Sequence, residues 1–240
     1  MIIPLSGPIQ SSAPPSFAVL DTETTGLFKD PDAHVVELGI ARFEGGVCVA
    51  RRSWIVRPPV LTEAGLEVAW RISQISEAEI LAAPSPLEVW TEASPLLDDV
   101  PVVAWNLPFD QAMVRRTFFA DELLDAIRAH HLAPPSWKEC AMRRYSRRFV
   151  EHLGTWPQGE PRWAKLKNAA TQCGLTWTGN AHRADADAEM TGQLYAGLLA
   201  DSLVFTPIPE PEPATRVIRS ARRLSTMAAM ATVATAAIPR

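Results

Sequence analysis

The feature that most constrains the fold is a series of short apolar, β-branched runs separated by turn residues. Residues 16–21 and 34–43 have the composition of strands. Glu44-Gly45-Gly46 predicts a turn into a third strand over 47–56, so the second and third strands should form a hairpin. A fourth, short and buried strand is predicted over 100–105.

The remaining periodic segments predict helices. Pro108 suits the first turn of a helix, because the N–H that proline lacks has no partner there. The helices are expected at 75–81, at 87–97, from Pro108, at about 136–149, at 162–173 and at 183–200. A hairpin followed by strands that alternate with helices predicts an α/β fold with a sheet of mixed direction.

Composition excludes several classes of protein. With 240 residues, 47% of them apolar, the chain can bury the core of one generous domain. Cys48, Cys140 and Cys173 are scattered, which argues against both a disulfide framework and a thiolate zinc site and favours a reducing cytoplasm. No apolar run is long enough to span a membrane, and the amino terminus lacks the basic start of a secretory signal. We therefore expect a cytoplasmic protein with no membrane partner.

Composition also changes towards both ends of the chain. Residues 1–15 are proline-rich and predict a flexible leader, and residues 16–205 predict the folded domain. Residues 206–240 predict a flexible end, a Pro-rich linker followed by a basic and Ala-rich tail. This segment holds two glutamates and five arginines, a net +3, whereas residues 1–205 hold 18 basic and 25 acidic residues, a net −7. Two interpretations stay open: the tail recruits a polymerase or another protein partner, or it is a disordered end without a role.

Two acids stand at the end of the first predicted strand. Asp21 and Glu23 are two residues apart, so the strand period places both carboxylates on one face, where they invite a cation. An Asp-x-Glu triplet is weak by itself and is also typical of solvated strand ends. Its context is more specific, because the acids lead into a Thr-rich turn closed by Gly26, whose hydroxyls and amides can hold a phosphate or a terminal sugar.

Further acids follow in two later segments. Asp110 comes after the buried run VPVVAWN and begins a helix, where an acid is also favoured by the helix dipole alone. The segment HRADADA, residues 182–188, places Asp187 five residues after His182 at a predicted helix start. A lone histidine there is more often a cap or a surface residue than a catalyst. It is improbable that every one of these ordinary explanations holds at once, so the acids and the histidine together favour a catalytic site.

These residues carry a resemblance to a known family. DTETTGL at 21–27, WNLPFD at 105–110 and HRADADA at 182–188 occur in the order of the three exonuclease motifs of the DEDDh family, the DnaQ-like 3′-to-5′ exonucleases. The resemblance spans about residues 16–200. It implies a ribonuclease H-like fold, an α/β architecture in which helices flank a central five-stranded mixed β-sheet.

The resemblance also implies the roles of five catalytic residues. Asp21, Glu23, Asp110 and Asp187 would hold two divalent metal ions, and His182 would be the general base. Carboxylates are suitable ligands for Mg²⁺ or Mn²⁺. Paired cations of this kind neutralise an anionic phosphodiester and help to generate hydroxide near neutral pH. Asp185 competes for the last metal position, but the five-residue spacing favours Asp187.

Substrate contacts are implied in the same way. Thr24, Thr25 and Leu27 inherit a contact with the terminal nucleotide, although core packing explains Leu27 equally well. Asn106 is a further candidate, with an uncertain geometry because Trp105 stands where many relatives have histidine. This departure affects none of the five catalytic positions.

A basic run also has two interpretations. In the segment RRYSRR, helical spacing places Arg143 with Arg147 and Arg144 with Arg148 on adjacent stripes. The run is compatible with a patch that follows the backbone of a single strand, and equally with a solvated helical face.

Three functions follow from these patterns. The first is a metal-dependent 3′-to-5′ exonuclease that acts on single-stranded or frayed DNA and releases nucleoside 5′-monophosphates, in repair, processing or proofreading. The second is a 3′-to-5′ exoribonuclease of the RNase T or oligoribonuclease kind, which binds RNA 3′ ends, and the third is a non-catalytic module that binds nucleic acid or a polymerase. No glutamine follows Gln193, so a Gln-led clamp-binding motif is absent from the tail and a clamp-tethered proofreader is less well supported.

Overall fold

A five-stranded sheet forms the centre of the computed structural model, which describes residues 15–178 and 182–208. Its strand order is β3-β2-β1-β4-β5. The strands are β1 (Phe17–Thr24), β2 (Val35–Glu44), β3 (Val47–Ile55), β4 (Val102–Ala104) and β5 (Trp137–Cys140). The interpretations of residues 1–14 and 209–240 lie outside the described residues.

The sheet has mixed direction, as the sequence predicts. β1 pairs with β2 in antiparallel register. β2 pairs with β3 in the same way, and the turn at Gly45 and Gly46 connects these two strands. β1 pairs with β4 and β4 with β5 in parallel register. The carboxyl ends of β1, β4 and β5 therefore meet at one edge of the sheet, where side chains from distant parts of the chain can converge.

Helices cover both faces of this sheet. Those described are α1 (Glu63–Ser73), α2 (Glu77–Ala82), α3 (Pro86–Ala93), α4 (Leu107–Phe118), α5 (Leu124–Ala129), α6 (Ala141–Arg148), α7 (Val150–Leu153), α8 (Leu166–Gln172) and α9 (Ala184–Leu199), with short 3-10 turns at Ser94–Leu96 and Asp121–Leu123. The α/β prediction is thus confirmed.

Two helix predictions need correction. The helix expected at 136–149 is wrong in its first residues, because Trp137–Cys140 pairs with β4 as strand β5 and the helix starts only at Ala141. Sequence reasoning also missed the short helices α5 and α7 and the longer α1. Helix α1 begins where the Thr62 hydroxyl accepts a hydrogen bond from Gly65 N and ends at Gln74 in the left-handed conformation. Strand β5 depends on pairing with β4, and the start of α1 depends on the cap at Thr62, so the period of apolar residues reveals neither.

Each face of the sheet has its own hydrophobic core. One core packs Phe17 and Phe43 against α6 and α9, and the two rings stack with centroids 5.0 Å apart. The other core packs the opposite side of β1 and β2 against α3 and α4, and includes Leu20 and Trp90. A fully buried side chain of this size contributes about 1.5–3 kcal/mol, so the two cores supply most of the stability of the fold.

Two glycines let α9 lie unusually close to the sheet. A Cβ atom at Gly39 in β2 would lie 2.1 Å from the carbonyl carbon of Ala184, and one at Gly192 would lie 2.0 Å from the Phe43 ring. Only the absence of a side chain permits these approaches. The first turn of α9 therefore rests directly on β2 opposite Asp21, whose register partner is Gly39.

The segment after α9 packs back onto the domain. The Phe205 ring lies 5.3 Å from Phe149 and stacks on His152 at 4.5 Å, and Thr206 N donates to Gln172 O at 2.7 Å. Among the helices of residues 15–178 and 182–208, none has the length and apolar character required to cross a bilayer.

Candidate active site

The end of β1 delivers two of the predicted acids to the edge of the sheet. Asp21 and Glu23 point to the same face as Phe17, the face covered by α9, because side chains alternate along the strand. Glu23 is 9% exposed, and the Ser73 hydroxyl at the end of α1 donates a hydrogen bond to its Oε2. Helix α1 therefore holds this carboxylate in one orientation.

The third acid arrives on α4. Asp110 lies in the first turn of that helix and is 3% exposed. The Thr22 hydroxyl donates to its Oδ1 at 2.9 Å, so the residue between the two β1 acids fixes the α4 acid. The helix and the strand are thereby joined at the point where their acids meet.

The first turn of α9 supplies the fourth acid. Trp177 Nε1 donates to Asp187 Oδ1 at 2.9 Å. Asp185 instead pairs with Arg51 Nε at 3.0 Å. The structure therefore places Asp187, and not Asp185, near the other acids, and the role of Asp187 as a metal ligand stays a prediction.

His182 precedes this turn and faces the acids. Its backbone has φ of 67°, the left-handed region, which turns the chain just before α9 begins. Candidate ligand atoms of Glu23, His182 and Asp187 all lie within 4.8 Å of one another. Asp21 and Asp110 are outside this tightest set, but both lie close enough to interact electrostatically: the charges of Asp110, Glu23 and Asp187 all raise the pKa of Asp21.

Burial and mutual repulsion shift the titration of these carboxyls. Burial raises the pKa of Glu23 to about 7 and that of Asp110 to about 7. The pKa of Asp21 is raised well above its ordinary value, first by burial and then by the negative charges of Asp110, Asp187 and Glu23. The pKa of Asp187 is raised as well, chiefly by burial. Such a cluster is costly to ionise unless a cation joins it.

The donor set fits a hard divalent cation. It consists of carboxylate oxygens from three different elements, β1, α4 and α9, with one imidazole beside them. Oxygen-rich sites of this kind suit Mg²⁺ or Mn²⁺. Cations bound there would offset the repulsion that raises the carboxyl pKa values.

A fifth acid, Glu37, is part of the site's support and was missed by sequence reasoning. It is completely buried in β2 opposite Glu23, and both of its oxygens accept from Arg183, at 2.8–3.1 Å. Ala184 N also donates to Glu37 Oε2 at 3.2 Å. Glu37 thus fixes the start of α9, because its partners Arg183 and Ala184 stand in the sequence between His182 and Asp187. The only signal in the sequence is one acid inside the apolar run VVELGI.

Ser73 and Trp177 were missed for a similar reason. Ser73 lies 50 residues from the Glu23 carboxylate it bonds, and Trp177 bonds Asp187 from outside the HRADADA segment. Neither contact is visible in local periodicity, because both depend on how helices pack on the sheet.

The predicted substrate contacts differ in their availability. Leu27 is 75% exposed, so the core-packing interpretation of this residue is wrong. The Thr25 hydroxyl accepts from His34 N at 2.9 Å, and the Thr24 hydroxyl donates to Gly26 O at 2.7 Å, so both hydroxyls shape the turn itself. Asn106 is exposed at the start of α4.

A cavity of about 780 Å³ opens beside the acids. Its walls come from the Thr24–Leu27 turn, from α1 and from the start of α4, and its apolar lining includes Val68, Ile72 and Phe109. Arg116 holds the far side of this turn, donating to Asp30 O at 2.6 Å and to Ala33 O at 2.9 Å. The cavity can accept a flat apolar group next to an anionic one.

Comparison with known proteins agrees with this geometry. Residues 18–195 match the RNase_T family model, which describes exonucleases. The uncharacterized exonuclease CP81 of Escherichia phage 186 is 29% identical over 180 residues, which cover 72% of this chain and 82% of that protein.

Solved structures share the fold. The nuclease domain of 3'hExo, a DEDDh family member solved with rAMP, aligns with a TM-score of 0.54 at 13% identity, covering 80% of this chain and 96% of that one. E. coli Exonuclease I, solved with a dT13 oligonucleotide, aligns with a TM-score of 0.53 at 12% identity, covering 79% of this chain and 42% of that one. The ribonuclease H-like fold is thereby confirmed. Because the family model covers most of the chain, this protein belongs to the RNase_T family of exonucleases and is a nuclease, as its resemblance to the DEDDh, DnaQ-like exonucleases predicts.

Proposed function

We propose that this protein is a divalent-metal-dependent 3′-to-5′ exonuclease that removes nucleotides from single-stranded or frayed DNA ends and releases nucleoside 5′-monophosphates. The observation that carries the proposal is the convergence of Asp21, Glu23, Asp110 and Asp187 at one edge of the sheet beside His182.

Each side chain has a role in this proposal. The four carboxylates would hold two divalent cations, Mg²⁺ or Mn²⁺. Bound cations of this kind neutralise the phosphate and lower the pKa of the attacking water. His182 is exposed and close to Glu23 and Asp187, a position from which it removes a proton from that water.

The cavity beside the acids supports a role in holding the terminal nucleotide. Leu27, Ile72 and Phe109 offer apolar surface to a base, and the same cavity is lined by Glu23, one of the carboxylates that would hold a cation. Thr24 and Thr25 shape the turn, and Asn106 lies at the start of α4 within the WNLPFD segment. We assign these four residues, Thr24, Thr25, Leu27 and Asn106, to substrate binding.

Single-stranded DNA is the proposed polymer because the aligned E. coli Exonuclease I was solved with a dT13 oligonucleotide, and RNA is the alternative because the aligned 3'hExo domain was solved with rAMP. Any contact to a 2′-hydroxyl would favour RNA instead. Substrate preference is therefore an outcome of the experiment.

The experiment follows end-labelled oligonucleotides. Protein is incubated with 5′-labelled DNA and, separately, RNA, with Mg²⁺, with Mn²⁺ and with a chelator. We expect a ladder of DNA products that shortens from the 3′ end only when metal is present. A faster loss of RNA would assign the enzyme to the exoribonucleases, and cleavage from the 5′ end would contradict the proposed polarity.

Two neighbouring acids on α9 provide a matched comparison. Asp187→Asn should abolish cleavage, because it removes a proposed metal ligand. Asp185→Asn should retain cleavage within about threefold, since Asp185 pairs with Arg51 away from the cluster. Equal loss in both variants would contradict the assignment of Asp187.

A further inference from the structure

A second cavity lies beside α6, apart from the acid cluster. It measures about 280 Å³ and is lined by Arg143, Ser146, Arg147, Glu160, Pro161 and Trp163. One wall is the outer face of α6, and the other is the segment that follows the turn at residues 154–160. That segment is closed by main-chain hydrogen bonds from Trp156 N to Glu160 O at 2.8 Å and from Arg162 N to Gly154 O at 3.0 Å.

The four arginines of α6 divide into two stripes with different partners. Arg144 pairs with Glu139 at 3.0 Å, and Arg148 pairs with Asp201 at 2.9 Å. In the part of the chain that the structure describes, Arg143 and Arg147 form no ion pair, and both are exposed at the cavity. The cavity therefore carries two unneutralised guanidinium groups against one carboxylate, that of Glu160.

Ser146 gives the same wall a polar group without a partner. The residue is 1% exposed, and its hydroxyl forms no hydrogen bond within the described residues. Ser146 therefore adds a neutral polar group, and no further charge, to the wall between the two arginines.

Trp163 adds an aromatic surface. The residue is 60% exposed at the edge of the cavity, a large exposed fraction for a tryptophan. Positive charge beside an exposed aromatic ring is the combination with which proteins hold single strands, phosphates on the charges and bases on the ring.

The topology places the start of α6, which forms one wall of this cavity, at the same edge of the sheet as the acid cluster. β5 is parallel to β4 and β1, so α6, which follows β5, begins at the edge of the sheet where Asp21 and Glu23 lie. Trp105, the residue that follows β4, also connects both walls of this cavity to the same edge of the sheet. Its carbonyl accepts from Met142 N at 3.0 Å, and its indole donates to Ala164 O at 3.2 Å.

We propose that this cavity binds the phosphodiester backbone of a single strand upstream of its 3′ end. Arg143 and Arg147 contact phosphates, and Trp163 stacks on a base. The inference rests on the proposed function, because the strand would run from here to the acid cluster. It explains how a chain with a net charge of −4 retains a polyanion that is longer than the terminal nucleotide.

The test compares substrates of two lengths. Wild-type protein and the Arg143→Gln and Arg147→Gln variants are assayed on the dinucleotide pdTdT and on an oligodeoxythymidine of about 16 nucleotides, the upper range of such binding sites. We expect each variant to raise KM on the long substrate about fivefold and to leave the dinucleotide rates within about twofold. The slope of log KM against log salt on the long substrate should fall by about 0.7 for each lost phosphate contact.

Arg148→Gln is the matched control, since Arg148 lies next to Arg147 but is paired with Asp201. It should change neither KM nor the salt slope on either substrate. If Arg143→Gln and Arg147→Gln behave like this control on the long substrate, the inference is overturned while the proposed function stands. If wild-type protein cleaves neither substrate, the proposed function itself fails.

Trp163→Ala gives an independent readout. We expect it to raise KM on the long substrate without changing the salt slope, because stacking involves no ion release. Unchanged KM in this variant would contradict the assignment of the ring.

Discussion

At the scale of single residues, three of the four acids of the cluster are each oriented by a neutral hydrogen-bond donor. Thr22 serves Asp110, Ser73 serves Glu23 and Trp177 serves Asp187. Neutral donors fix the carboxylates without cancelling the negative charge that attracts cations. The loss of a group that orients a metal ligand in this way commonly weakens metal binding by about 10-fold to 100-fold.

Trp177→Phe tests this orienting role. The variant keeps an aromatic ring but loses the N–H that binds Asp187, so we expect the Mn²⁺ concentration for half-maximal cleavage to rise about tenfold. Trp156→Phe is the control, since Trp156 is 45% exposed and bonds none of the acids. An unchanged Mn²⁺ requirement in Trp177→Phe would show that the hydrogen bond has no role in binding metal.

The raised carboxyl pKa values predict how stability depends on pH without metal. Because the pKa of Asp110 in the folded protein, about 7, lies above its ordinary value, the folded state holds this proton more tightly than the unfolded state. The resulting stability is fully present below the unfolded pKa and is lost as the pH rises through the folded pKa. Metal-free protein should therefore be less stable at pH 8 than at pH 5.5.

Asp110→Asn should remove this penalty. We expect the metal-free variant to be more stable than wild type by about 1–3 kcal/mol at pH 8 and to be inactive. Denaturant unfolding in the presence of a chelator measures the difference. A variant that is less stable than wild type at pH 8 would show that the buried carboxylate is already compensated.

At the scale of elements, the site depends on how closely α9 approaches the sheet. Gly39 admits the backbone of Ala184, and Glu37 binds both Arg183 and Ala184 N. These contacts bring Asp187 to the end of β1. The approach also explains why α9 is rich in small residues, with Ala184, Ala188 and Gly192 on its buried side.

Gly39→Ala should separate geometry from stability. Its Cβ would meet the backbone of Ala184, whereas the Cβ of Gly192→Ala would meet the Phe43 ring in the same core. We expect each change to cost about 1–3 kcal/mol of unfolding free energy. Only Gly39→Ala should reduce kcat by more than about tenfold at a temperature where both variants are folded. Equal kcat values would show that the placement of α9 is not limiting.

Sequence reasoning succeeds where a residue's environment is set by its neighbours in the chain. The acids at the end of β1, at the start of α4 and at the start of α9 each follow a local pattern, and the structure brings them to one edge of the sheet, while their catalytic roles stay a prediction. Glu37, Ser73 and β5 depend on partners far along the chain, and the four residues of β5 are too few to show a period. Such features appear only when the sheet is assembled.

At the scale of the whole molecule, the segment that follows α9 packs on the domain, and the predicted boundary at residue 205 stays a prediction. Phe205 packs on Phe149 and His152, and Thr206 bonds Gln172. Binding of a polymerase or another protein by the segment after Ile208 stays a proposal, and co-purification with the full chain tests it.

Truncation tests the division between domain and tail. A chain that ends at Ile208 should cleave short oligonucleotides at the wild-type rate, because every described contact of the site is retained. A chain that ends at Asp201 loses Leu203 and Phe205 from the core and should be less stable by about 2–5 kcal/mol. Loss of activity in the chain that ends at Ile208 would assign the tail to the catalytic unit.

Direct measurement of Mn²⁺ binding tests the central claim most closely, because it does not depend on turnover. Calorimetric titration of wild-type protein with Mn²⁺ in the presence of dTMP should give two bound ions per chain. Asp21→Asn should lose at least one of them, and Asp185→Asn should bind as wild type does. Unaltered binding in Asp21→Asn would contradict the claim that these acids hold the metal.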